Sequence, residues 1–120
     1  MATFTKVKLS ESTNGKAIKV ANTATAGTLI HTGSTTSTTY DEVWLYAQNT
    51  SASAVKLTVE WGGVADPDDL IELTVQPEAG LVTIAPGLLI KGNSSALEVR
   101  AFAATANVIT IHGFVNQITV

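Results

Sequence analysis

The sequence predicts an all-β protein: an antiparallel β-sandwich of about eight strands, jelly-roll-like in layout, built as a single domain over residues 1–120. Three observations predict it. Apolar and polar residues alternate with period two through most of the chain, as strands buried on one face require. Clusters of Gly, Pro, Asn, Asp and Ser interrupt this alternation about every 8 to 12 residues, the spacing of short strands in a sandwich. No window sustains the roughly 3.6-residue period of an amphipathic helix.

Met1 to Leu9 offers a core only Val7 and Leu9, so residues 1–13 are expected to form a loosely ordered N-terminal arm. Asn14-Gly15 is a two-residue hairpin signal, since both residues tolerate positive φ, and it is expected to fold Val7 and Leu9 against Ile18 and Val20. Gly27 to Thr32 (GTLIHT) reads as a short strand and Gly33 to Thr39 (GSTTSTT) as a loop with nothing to bury. The longest pattern runs from Asp41 to Gly63. Val43, Leu45 and Ala47 fall on one face with Trp44 and Tyr46 on the other, and Val55, Leu57, Val59 and Trp61 then oppose Lys56, Thr58 and Glu60. The polar connector Asn49 to Ser53 (NTSAS) makes a long antiparallel hairpin the economical expectation.

Gly62 to Asp69 is turn-rich, with Pro67 barring continuation of a ladder. Strands resume at Leu70 to Gln76 and, briefly, at Leu81 to Ala85; Pro86-Gly87 reads as a turn before the apolar run Leu88 to Ile90. Leu97 to Ala103 sets Leu97, Val99 and Ala101 against Glu98, Arg100 and Phe102. Asn107 to Ile118 sets Ile109, Ile111, Gly113 and Val115 against Val108, Thr110, His112 and Phe114. Apolar residues on both faces of this last strand imply cover on both sides, from a central position or from a neighbouring subunit.

Composition narrows the function. There are 7 basic and 10 acidic residues, no cysteine, and 26 Ser and Thr together, so the polar surface is largely hydroxyl. A net charge of −3 without a basic block argues against nucleic-acid binding, whose affinity comes mainly from phosphate neutralisation. The absence of cysteine excludes disulfides and thiolate metal sites. No apolar run reaches the roughly 20 residues of a membrane helix, and MATFTKVKLS lacks a signal peptide's apolar core, so folding in the cytoplasm is expected.

No acid, base and nucleophile fall into a catalytic pattern, and no cofactor or metal site is expected. His31 and His112 lack nearby ligands and read as structural. Asp66, Asp68, Asp69 and Glu72 lack calcium-loop spacing and read as a solvated turn. Trp44, Tyr46, Trp61 and Phe114 are the candidate interface or core aromatics, with a sugar-binding platform as the alternative use of such a strip.

The segments NGKAIKV, GTLIHT, DEVWLYAQNTSASAVKLTVEWGG, LIELTV and VRAFAATANVITIHGFVNQI resemble a small family of β proteins encoded among the virion genes of tailed bacteriophages, notably those of marine and cyanobacterial hosts. The likeness spans roughly Asn14 to Ile118. It implies a head-decoration or cement protein, made in the host bacterial cytoplasm and carried on the virion's capsid surface. The implied partners are the major capsid protein and further copies of the chain, commonly as a homotrimer, with no nucleic acid and no membrane. Tail, neck or fibre components are the alternative, and no active-site residue is implied.

Overall fold

The structure, a computed structural model, describes all residues 1–120. Nine strands form: β1 (Thr3–Lys8), β2 (Ile18–Lys19), β3 (Thr28–Thr32), β4 (Thr39–Asn49), β5 (Val55–Trp61), β6 (Leu70–Val75), β7 (Val82–Lys91), β8 (Glu98–Ala103) and β9 (Ile109–Thr119). The larger sheet has the order β1-β9-β4-β7, with the two-residue β2 also on β9; the smaller has the order β3-β8-β5-β6. All these pairings are antiparallel. Without β2, the eight remaining strands in chain order give first-eighth-third-sixth in one sheet and second-seventh-fourth-fifth in the other. That interleaving is a jelly roll, so the sandwich expected from the alternation is present with its two-sheet layout.

The core forms because the alternation delivers one apolar face from each sheet to a common interior. β4 contributes Val43, Leu45 and Ala47, β9 contributes Ile109, Ile111 and Val115, and β5 and β8 reply with Val55, Leu57, Val59, Val99, Ala101 and Ala103, all buried. Burying each larger aliphatic chain favours folding by about 1.5 to 3 kcal/mol.

Four expectations need correction. Asp41 to Gly63 is not a hairpin: β4 pairs with β7 and β9, whereas β5 lies in the opposite sheet between β6 and β8. The connector is an arch across the sandwich, held by the buried Asn49, whose Nδ2 donates to the carbonyls of Ser53 (2.7 Å) and Val75 (2.9 Å). Its Oδ1 accepts the Ser51 N–H at 2.9 Å, turning the chain immediately after β4.

The N-terminal arm is ordered, because Thr3 to Lys8 pairs along its length with Thr119 to Phe114 of β9. Backbone hydrogen bonding holds Thr3 to Lys8, and Leu9, buried in the core, anchors the end of the arm. Asn14 and Gly15 do take positive φ, at 55° and 84°, yet the segments they join both pair with β9 instead of with each other.

Pro86-Gly87 is no turn either, since β7 runs through it. The register passes from Val43 opposite Leu88 to Trp44 opposite Pro86, leaving Gly87 as the extra residue of a bulge with φ 81°. Proline is tolerated there because β7 is an edge strand.

Candidate functional site

The outward side of the larger sheet is built by the residues that alternate away from the core. On β4 these are Tyr40, Glu42, Trp44, Tyr46 and Gln48; on β9 they are Thr110, His112, Phe114, Asn116 and Ile118. All ten are half-buried. The register sets Trp44 opposite Phe114 and Tyr46 opposite His112. Trp44 and Phe114 stack with ring centroids 5.8 Å apart and planes 7° from parallel. Such an offset pair contributes about 0.5 to 1.5 kcal/mol beyond the area it buries.

Each ring is fixed from its sides. The Trp44 indole N–H donates to Glu42 Oε1 at 2.9 Å, and the indole lies against Gly87, where a Cβ would come within 2.9 Å of Trp44 Cζ2. The bulge in β7 therefore makes room for the tryptophan. Lys6 of β1 holds its ammonium 4.9 Å from the Phe114 ring centre, a cation–π contact. Beside this group, His112 Nδ1 is buried without a hydrogen-bond partner. A buried ring nitrogen left so is destabilising until something donates to it or accepts from it.

Three of the four aromatics singled out from the sequence thus converge. Trp61 does not: it sits on β5 in the other sheet, opposite Val99, and packs against the core. The sequence named the aromatics of β4 and β9 without showing that these strands are hydrogen-bonded neighbours, which brings Trp44 and Phe114 into register.

His31 and Asp41 form a second polar group, inside the sandwich. The Ser10 N–H donates to His31 Nδ1 at 3.0 Å, so Nε2 carries the ring proton and donates it to Asp41 Oδ2 at 2.7 Å. Gln117 Nε2 donates to the other carboxylate oxygen at 3.0 Å. Burial pushes the Asp41 carboxyl upward, but the hydrogen bonds from His31 and Gln117 and the electrostatic attraction of His31 outweigh it and hold the pKa below the ordinary carboxylate value. Both ring nitrogens are engaged, and β3 of one sheet is tied to β4 and β9 of the other. This arrangement is an inter-sheet clamp.

The outward side of the smaller sheet is covered in part by its own chain. Thr58 and Glu60, which the alternation put on the face opposite Val55, Leu57 and Val59, are buried there. Glu60 accepts the Gly27 N–H at 2.7 Å and the Thr25 hydroxyl at 2.5 Å, while Arg100 donates to the Gly27 carbonyl at 2.9 Å. The segment before β3 is thereby fastened over this sheet. Beside it two shallow grooves, of about 240 and 190 Å³, share Thr23, Asp66, Leu70 and Phe102. Asp69 closes its own turn by accepting the Ala65 N–H at 3.1 Å. No family model, curated protein or solved structure matches the chain.

Proposed function

We propose that the protein is a non-catalytic structural component that works by packing its outer aromatic face onto a larger assembly, and that this assembly is the head of a tailed bacteriophage. In this reading it decorates the capsid exterior and stabilises it, as a homo-oligomer that the resemblance makes a trimer. The observation that carries the reading is the convergence of Trp44, Tyr46 and Phe114 on the outward face of the larger sheet, where all three stay half-buried. Stacked, positioned aromatics at the centre of a face are the residues that dominate binding energy in protein interfaces. The resemblance to virion proteins supports the choice of assembly, and the jelly roll, an architecture used by viral capsid and lectin domains alike, is compatible with it at the level of analogy.

The near-parallel Trp44 and Phe114 rings also suit a sugar-binding platform. Lys6 weighs against that use, because its ammonium already occupies the Phe114 ring face on which a pyranose would stack. A glycan array reads this alternative directly.

The test is to measure the protein's mass in solution and add it to capsids of its own phage assembled without it, following co-sedimentation and resistance to heat. Binding confined to the assembled shell stabilises it by mass action, by about 2.7 kcal/mol per site when free protein is a hundredfold above its dissociation constant. The expected result is an oligomer that sediments with the shells and raises their disruption temperature. A monomer that does neither contradicts the proposal and transfers the reading to a tail, neck or fibre component.

A further inference from the structure

The seven basic residues are scattered along the sequence, but folding does not leave them scattered. Residues directly opposite in an antiparallel ladder share a face. Lys8 lies opposite Phe114, Lys6 opposite Asn116, Lys19 opposite Thr110 and Lys91 opposite Tyr40, so all four project on the aromatic side of the larger sheet. All four are exposed and none forms an ion pair. The one acidic side chain of the strands on this side is Glu42, already engaged by the Trp44 indole.

The opposite side of the sandwich has the contrary balance. Glu60, Glu72 and Glu98 project there with Lys56 and Arg100, which pair with Glu72 at 3.0 Å and Glu98 at 3.1 Å. The adjoining loop adds Asp66, Asp68 and Asp69. A net charge of −3 therefore conceals a molecule with one basic and one acidic side.

We infer that the aromatic face docks on an acidic protein surface with an apolar centre, the four lysines forming the rim around Trp44 and Phe114. The inference rests on the proposed function and names the chemistry that the shell must present to this protein. Charge complementarity at a rim guides encounter and fixes orientation, while the desolvated aromatic centre supplies most of the binding energy. A second copy does not fit the requirement. Two such faces brought together oppose lysines to lysines, and pairing this face with the acidic back of another copy generates an open stack, because the two sides of a sandwich point in opposite directions.

The experiment compares three exposed-lysine variants with the wild type on protein-free capsids of the same phage. Lys8→Glu reverses charge on the rim, Lys8→Arg preserves it, and Lys56→Glu makes the same net change on the opposite side of the sandwich. Matching melting temperatures establish that all are folded. The inference predicts that the rim reversal weakens capsid binding by about tenfold or more, that the other two variants stay within about twofold of wild type, and that wild-type binding weakens from about 0.05 to about 0.5 M salt. Wild-type binding that the rim reversal leaves unchanged overturns the inference and leaves the capsid role standing. Failure of the wild type to bind capsids overturns both. A labelled oligothymidylate is the further probe: if it is retained by the wild type and lost on rim reversal, while capsids are not bound, the occupant is single-stranded nucleic acid and the acidic-protein assignment is wrong.

Discussion

The two outward faces of the sandwich begin from similar strand alternation and end differently. On the smaller sheet, the segment from Asn22 to Gly27 folds back over β5 and β8, so that Thr58 and Glu60 are buried and the Glu60 carboxylate has partners from its own chain. On the larger sheet Trp44, Tyr46 and Phe114 remain half-buried beside a histidine nitrogen without a partner. The first face is covered by its own chain over Thr58 and Glu60 and left exposed at Lys56 and Glu72. The second is ordered by folding and keeps its aromatics half-buried.

Substitutions separate these roles, beginning with the core between the faces. Leu57 is fully buried on the inner side of β5, so Leu57→Ala is expected to cost about 2 to 5 kcal/mol, while Lys56→Ala on the exposed outer side stays within about 0.5 kcal/mol. Thermal or urea melts of the two variants check this, and equal melts contradict the facing of β5. The next effect belongs to the self-covered face. Glu60→Ala leaves the buried Gly27 N–H without its acceptor and is expected to cost about 1 to 3 kcal/mol. Amide exchange should show Gly27 losing protection while β9 keeps its own. Uniform loss along the chain would mean that Glu60 supports the whole core and not this local cover.

The clamp between the sheets gives a pH-dependent effect. Because the folded carboxyl of Asp41 has a lowered pKa, its contribution is fully present above the unfolded value of about 3.9 and disappears as pH falls through the folded value. Wild-type stability should therefore drop as the solution is taken below about pH 4, and Asp41→Asn should flatten that acid limb while lowering stability at neutral pH. Melting temperatures at a series of acid pH values decide it: an acid limb in Asp41→Asn as steep as that of the wild type places the titration elsewhere. The outward face of the larger sheet gives a smaller stability effect than the core. Trp44→Ala removes a half-buried ring, so its melting temperature should change less than that of Leu57→Ala, while the capsid binding proposed for the protein should fall by about 2 kcal/mol or more.

Much of this architecture was legible in the residues. The facings of β4, β5, β8 and β9 followed from alternation, and Gly27 to Thr32 and Leu70 to Gln76 fell where β3 and β6 form. What alternation does not carry is partnership. An inner face such as Val55, Leu57 and Val59 reads the same whether the preceding strand is its ladder neighbour or lies across the core, so the arch at Asn49 passed for a hairpin turn. β1 was hidden because backbone pairing, not apolar burial, orders it. The buried Glu60 was hidden because its partners lie more than thirty residues earlier. The aromatic site was legible as a set of residues but not as a surface. Its lysine rim depends on β1, β2, β7 and β9 being brought side by side, and no spacing in the sequence expresses that.

The proposed function requires the larger sheet's outward face, and not the smaller sheet's, to be covered in the assembled state. Hydroxyl-radical footprinting of the protein, free and mixed with the phage capsids that the proposed function assigns to it, measures this residue by residue. The account predicts that Trp44, Tyr46 and Phe114 lose reactivity on binding while Phe102 and Leu70 beside the grooves of the smaller sheet keep theirs. Protection of Phe102 and Leu70 with Trp44 unchanged would contradict it.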